Sequence, residues 1–472
     1  MSLFRTLGIA HSGMQASQTA LATTGHNISN AGVEGFTRRN TVLGIQDPQQ
    51  RMGHWEGRGS RVDNILRSYD SFLDAQVRRD KSAEAFLSAR ERGLNAVERL
   101  FETEGQPDIG ARLSAFFNAA RTLSEQADDP SARSELVLAA DQAAQAFQGL
   151  DRDLQSLQHT LNQEISGQVD EINDLTATIA ALNPRIASGE LNEQQAADLR
   201  DQRDMAIRRL SEITEVNVIT EDNGMISVRL ASGDLLVDKG DQYRMAAAPD
   251  PDNGGLMGVQ VVSKGGTRRV VTDQLGQGAL GGIISVRDQD IPAWRDQLDQ
   301  LAYSFGTAVN AVHQGGVGLD GIGGRDLFYL GDPPVDVAGA ASRIAVQPDV
   351  LADPSAVAAS ADGLGLPHGN ENALALADLE ETGLADLNGE SARAAFGSLV
   401  YAVGRASADN ASQLERKAVE AEQSASLFDS VTGVSIDDEM VELTKYQRHF
   451  EASARMVTVV DRLLDSVMSL VQ

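Results

Sequence analysis

The chain has no cysteine, which excludes disulfides, thiol nucleophiles and cysteine-ligated metals. Compartment stays open on that ground, since a reducing cytosol and a cysteine-free exported protein look alike. Aromatic residues are scarce, at 4% against 42% hydrophobic overall, so the predicted cores are built from Ala, Leu, Ile and Val. No run of eighteen apolar residues occurs, and no membrane span is expected. The first residues lack a charged start, a continuous apolar run and a small-residue cleavage site, so no secretory signal is read there. Positive charge is also short: 40 Lys and Arg face 68 Asp and Glu, for a net charge of −28. That balance argues against nucleic acid and anionic membrane as partners.

The charge deficit is uneven. Residues 1–67 are mildly basic and residues 433–472 mildly acidic, so the two ends cancel and the acidity sits on the body between them. Both ends also carry heptad spacing. Leu3, Leu7, Ala10, Met14, Ser17, Leu21, Thr24 and Ile28 follow one stripe. Leu443, Tyr446, Phe450, Ser453, Val457, Val460, Leu464, Val467 and Val471 follow the other. A sustained 3.5-residue period needs a partner helix, so the ends are expected to pair with each other, with further copies, or with both. Fully burying eight such large side chains is worth about 12–24 kcal/mol before ordering costs. In a free monomer the same segments are expected to be disordered or molten.

Between the ends, helical patterns cover about Tyr69–Glu104 and Ile109–Ala127. Asp129-Pro130-Ser131 then starts a helix of roughly fifty residues, some 75 Å long at ~1.5 Å per residue. A further helix is read from Glu193 to Ile213, with Asp198, Asp201 and Asp204 beside Arg200 and Arg203 as surface ion pairs. Residues 214–275 alternate β-rich runs (Met225–Leu230, Asp234–Val237, Leu256–Val262 and Thr267–Thr272) with turn signals, as an antiparallel sheet does. Helix resumes over about Ile283–Val312 and Ser391–Ser430, and residues 331–390 read as a hairpin and short helices. The fold class is mainly α: an out-and-back, elongated chain of about two to four domains. Residues 1–67 plus 433–472 form a terminal coiled-coil domain. Residues 68–213 plus 282–432 form a long-helix body, irregular near 315–390, and 214–281 form an inserted β-domain at the outer surface.

No catalytic, cofactor or metal set is read. Gly276–Gly281 and Gly316–Gly321 match GxGxxG but lack the strand, helix and return strand of a dinucleotide site. Seven scattered histidines offer no metal spacing, and His313 reads as a helix cap. Asp250–Gly254 lacks the closing Glu of a calcium loop. Asp437, Asp438 and Glu439 read as acids offsetting a helix dipole.

Asn27-Ile28-Ser29-Asn30-Ala31, followed by Gly35-Phe36-Thr37-Arg38, resembles the signature behind the first helix of bacterial flagellar rod, hook and hook-associated proteins. Family members often carry Tyr where this chain has Phe36. Asp198–Asp204 leading through Leu210 and Val216 into Gly224 and Val228 is similar to the flagellar hook-associated protein 1 family. So are Asn310, His313, Gly318, Asp320-Gly321, Gly324 and Phe328, and so are Gly433–Glu439, Tyr446-Gln447, Phe450 and Ala452–Arg455. The resemblance implies a structural ring at the hook–filament junction, one subunit per protofilament, about eleven copies in closed symmetry. It also implies the hook protein and the second junction protein as neighbours, an export chaperone at the C-terminal helix, and passage through the flagellar type III channel without a cleaved signal. The rival readings are another axial component, such as a rod or hook subunit or the second junction protein, and, from other classes, an enzyme or an adhesive insert.

Overall fold

The structure, a computed structural model, describes residues 3–51, 54–101, 108–190, 195–332 and 336–469. Glu104, Glu193 and Val471, named above, lie outside the described residues. The heptad spacing at the front gives α1 (Leu3–Asn30), and a hairpin follows of β1 (Arg39–Ile45), β2 (Gln49–Arg51), β3 (His54–Glu56) and β4 (Ser60–Arg67). Helices α2 (Ser71–Phe101), α3 (Ile109–Glu125), α4 (Pro130–Gly189) and α5 (Ala197–Ile213) come next. Asp108 and Asp129 cap α3 and α4 by accepting from the backbone N–H of Ala111 and Ser131. At 60 residues, α4 is longer than the roughly fifty read from the sequence, about 90 Å at ~1.5 Å per residue. Pro184 lies inside it, near its end.

The β segment holds two sheets, not one. β5 (Val216–Thr220), β6 (Ile226–Leu230), β7 (Leu235–Asp238) and β8 (Asp241–Gln242) make a four-stranded antiparallel sheet. β9 (Arg244–Pro249), β10 (Met257–Val262) and β11 (Arg268–Val270) make a three-stranded one, ordered β11-β10-β9. The strand missed in the second sheet reads Arg-Met-Ala-Ala-Ala-Pro, a composition with little β-propensity. Both sheets lean on α4 through asparagines about three turns apart, which share one face. Asn173 brackets Met245, accepting from its N–H at 2.8 Å and donating to its carbonyl at 2.9 Å. Asn162 accepts from the Met257 N–H at 2.7 Å, and Asn183 donates to the Ile226 carbonyl at 2.9 Å. Val228, Leu236 and Val259 are fully buried in a core continuous with that of the helices.

Then follow α6 (Gly278–Ser285), a π-turn at Val286–Asp290, and α7 (Ile291–Gln314). Gly278, inside the first GxGxxG match, has φ +76°, and a Cβ there would meet the Ile213 carbonyl at 2.5 Å. It is a packing glycine. Beyond α7, β12 (Phe328–Tyr329) pairs antiparallel with β13 (Ala345–Val346), around α8 (Ala340–Arg343), and α9 (Pro348–Ala352) and α10 (Glu371–Asp378) follow. The chain closes with α11 (Ala392–Thr432) and α12 (Ile436–Ser469). α11 lies antiparallel to α2, with Ser407 against Asn95 and Ser424 against Gln76. The whole is mostly helical, elongated and multidomain, with small antiparallel sheets.

Scarce aromatics do not mean an aliphatic core everywhere. Phe116, Phe117, Phe147, Phe305 and Phe328 gather from α3, α4, α7 and β12 with ring centroids 5.3–6.3 Å apart. His313, near the end of α7, is no cap. It is fully buried, with Nδ1 donating to the Arg325 carbonyl at 2.7 Å and Nε2 accepting from the Ala358 N–H at 3.0 Å. That pattern requires the neutral imidazole, and burial holds its pKa below the ordinary histidine value. A base depressed by folding stabilises the fold above its unfolded pKa and loses that contribution as pH falls through the folded one. The urea midpoint is therefore expected to fall between pH 7.5 and 5, and His313→Asn should flatten that dependence while lowering the midpoint at pH 7.5.

Candidate assembly site at the joint of the terminal helices

α1 and α12 pair with each other antiparallel: Gly13 meets Ser453 at one end of the contact and Asn27 meets Glu439 at the other. The residues that α1 buries are mainly small or polar, namely Ala10, Ser12, Ala16, Ser17, Ala20, Thr23, Thr24 and Asn27. A Cβ on Gly13 would lie 2.9 Å from the Ser453 hydroxyl, so the helices approach as closely as small side chains allow. Of the expected stripe, Ala10, Ser17 and Thr24 are buried here. Leu3, Leu7, Met14, Leu21 and Ile28 are only half-buried, along an edge of the buried arc. On α12, Leu443, Tyr446, Phe450, Val457 and Leu464 are half-buried, Val460 is buried, and Val467 is exposed. Within one chain, the large heptad side chains therefore do not reach the full burial reckoned from spacing.

A second apolar face follows. Met456, Val459, Leu463 and Val467 are 42–55% exposed and recur at three- and four-residue steps, which places them on one side of α12. That side is rotated from the one meeting α1. Phe4, 72% exposed, adds to the apolar surface at the open end of α1.

The joint below the pair is polar and buried. Glu439 is 2% exposed and accepts from Arg38 Nε at 2.7 Å and from Asn27 Nδ2 at 3.0 Å. The expected dipole partner is also a bolt across more than 400 residues of sequence. Asn27 also brackets Arg39, accepting from its N–H at 3.0 Å and donating to its carbonyl at 2.9 Å. The Arg38 N–H donates to the Thr432 carbonyl at 2.8 Å, tying the motif to the end of α11. Gly35 has φ +78°, and a Cβ there would strike Met205 on α5 at 2.5 Å, so this turn needs glycine. Phe36 stacks edge-on to His26 at 5.4 Å, beneath the Arg39 guanidinium at 5.0 Å.

The aspartates of the 198–204 segment divide. Asp198 is exposed and pairs with Arg39, but Asp201 and Asp204 are buried, contrary to the surface reading. Thr37 donates its hydroxyl to Asp201 at 2.7 Å, and buried Arg67 donates to Asp201 at 2.8 Å and to Asp204 at 2.6 Å. Burial works against the Arg67 charge, and the two carboxylates outweigh it to hold its pKa above the ordinary value. Burial lifts Asp204 above the usual carboxylate range despite Arg67. Asn30 donates to the His26 carbonyl at 2.8 Å at the end of α1, and Gln447 is exposed on α12. Arg39 and Arg67 were not singled out from sequence, Thr37 was named only within its motif, and Glu439 was read only as offsetting a helix dipole. Their signal was the alternation of Arg and Asp between the two motifs, which marks charge but not partner.

Among the described residues, no group of three or more His, Asp or Glu side chains is placed to hold a metal ion. No described helix is long and apolar enough to cross a membrane. Residues 94–328 match the family described as "Flagellar hook-associated protein FlgK helical domain". Residues 7–37 match "Flagella basal body rod protein", and 426–470 match "Flagellar basal body rod FlgEFG protein C-terminal". Flagellar hook-associated protein 1 of Bacillus subtilis aligns over 99% of this chain and 98% of its own length at 26% identity.

The chain belongs to the flagellar hook-associated protein 1 family.

Flagellar hook-associated protein 1 of Escherichia coli is 31% identical over 69% of this chain and 60% of its own length. That of Salmonella typhimurium is 32% identical over 69% and 59%. The matched region thus spans about three-fifths of these enterobacterial relatives. The solved flagellar hook junction protein of Burkholderia pseudomallei superposes with a TM-score of 0.50 at 28% identity, over 56% of this chain and 47% of that one. The family groups the chain with the flagellar axial proteins.

Proposed function

We propose that this protein forms the ring at the junction between hook and filament, one subunit per protofilament, and that it lets the filament assemble on the hook. The observation that carries this reading is the second apolar face of α12, left open after α1 and α12 have paired. An apolar stripe at helical spacing has nothing to bury against in a single chain. Further copies around a tube wall supply the cover, and closed rotation leaves no unpaired end. The terminal segments 1–67 and 433–472 then form the coiled-coil inner wall. The helical body (68–213 and 282–432) and the β segment (214–281) stand outward, carrying the acidity. The hook protein lies on one side of this ring and the second junction protein on the other. The protein acts outside the cell and leaves it by the flagellar export channel, with a chaperone covering α12 on the way.

The test is a deletion strain. Hooks of normal number and length without filaments are expected, with flagellin released into the medium, and restored by the intact gene. Normal filaments and motility in that strain would overturn the reading. Loss of hooks as well would favour a rod or hook subunit.

A further inference from the structure

Three arginines are almost wholly enclosed in this fold: Arg133, Arg203 and Arg287. In two of them every guanidinium nitrogen has a partner. Arg133 donates from Nε and Nη2 to the Ala127 carbonyl and from Nη1 to that of Val357. Arg287 grips the Asp288 carboxylate with Nε and Nη2, both at 2.7 Å, and gives Nη1 to Asn162 and to the Met257 carbonyl. Arg203 differs. It is 2% exposed, and only Nη1 is engaged, with Asn183 Oδ1 at 2.9 Å and the Gly224 carbonyl at 2.8 Å. Among the described residues its buried Nε has no hydrogen-bond partner, Nη2 makes no hydrogen bond, and no carboxylate oxygen lies within ion-pair distance of it.

The unused Nε–Nη2 edge is the one that grips two oxygens side by side. Arg200, three residues earlier, uses it on Glu190 at 2.6 and 2.7 Å, and Arg90 uses it on Asp290 at 3.1 and 3.0 Å. Such bidentate contacts to an anion are the strong ones. Arg203 lines a cavity of about 320 Å³ between β4, α2, α5 and the first sheet, together with Arg67, Arg78 and Arg200. Asp74 and Asp204 line it too. Each already serves its own arginines, Asp74 with Arg78 and Arg208 and Asp204 with Arg67. Four arginines line the cavity, but Arg200 is held by Glu190, Arg67 by Asp201 as well as Asp204, and Arg78 by Asp74, so Arg203 is the lining arginine without an ion-pair partner among the described residues. The space is several times the ~30 Å³ share of a liquid water, enough for a small oxyanion with attendant water. The Tyr69 and Ser71 side chains, also on the wall, add hydroxyl donors.

We propose that this cavity binds a small tetrahedral oxyanion of the phosphate or sulfate class, held by the Nε–Nη2 edge of Arg203. Burial pushes Arg203 down to about 10, with Arg200 and Arg67 adding to the effect and Asp204 and Glu190 opposing it. An anion there relieves that penalty and cross-braces α5 to β4, directly behind the joint of the terminal helices.

Calorimetric titration of the purified full chain with inorganic phosphate, at ionic strength fixed with chloride, tests this. Saturable binding to one site per chain is expected, with a rise in the thermal midpoint. Sulfate should compete and acetate should not. Arg203→Gln should weaken phosphate binding by roughly tenfold or more, the loss of a charge-assisted bidentate contact. Should that variant not fold, Arg203→Lys keeps the charge but not the fork, and it too must bind more weakly than the parent. Absence of saturable phosphate binding to the parent chain would overturn the proposal. So would acetate binding as tightly as phosphate, or binding unchanged in a folded Arg203 variant.

Discussion

Asp204→Ala is expected to cost about 3–5 kcal/mol of folding stability, the range for breaking a buried ion pair from one side. Asp204 accepts from Arg67 Nη2 at 2.6 Å where both side chains are almost wholly out of water. Removing the carboxylate leaves a guanidinium that desolvation already disfavours, with Asp201 as its remaining anion. The loss should appear as a lower urea midpoint with little change in slope. Replacing both partners, Arg67→Met with Asp204→Leu, should recover part of it, because no uncompensated charge then remains. A loss under about 1 kcal/mol for the single variant, the median worth of an exposed pair, would mean that water reaches the site.

Val459→Asp with Leu463→Asp should leave the free chain folded and abolish filament growth. Both side chains are about half exposed, so a carboxylate at either position meets solvent in the single chain, and surface changes of this kind shift stability by only about 0.5 kcal/mol. In a closed ring the same positions are covered by a neighbour. A carboxylate buried there without a partner costs several kcal/mol at each contact, and the cost recurs in every copy. Expressed in the deletion strain, this variant is expected to yield hooks without filaments. Aspartates at Asp437 and Asp438 are already native on exposed positions of α12, so acidity alone is not the obstacle.

Much of this architecture was legible wherever a period of 3.5 or 3.6 persisted. On α4 the apolar residues recurring from Phe147 to Leu182 at three- and four-residue steps are buried almost throughout, at Phe147, Leu154, Ile165, Val169, Ile172 and Ile179 above all. Spacing does not reveal what covers a face, and there the reading failed in one consistent way. Asp201 and Asp204 look solvated because Arg200 and Arg203 sit between them, yet Thr37 and Arg67 cover them from more than 130 positions away. Glu439 sits where first-turn acids offset a helix dipole, and only the return of α1 encloses it. His313 ends a helix, where capping is the common role, but the loop that follows folds back over it. Likewise the large side chains of the α1 stripe announce a seam, while the contact made within the chain buries its small members Ala10, Ser17 and Thr24 and the small residues next to them. A heptad stripe broader than one partner can cover is the mark of a helix with more than one neighbour.

The measurement that bears most directly on the central claim is co-sedimentation of the purified chain with isolated hooks. The intact protein is expected to pellet saturably with the hooks, while the Val459→Asp, Leu463→Asp variant, shown by circular dichroism to be equally helical, stays in the supernatant. Equal binding of the two would contradict the claim that neighbouring copies complete the exposed face of α12.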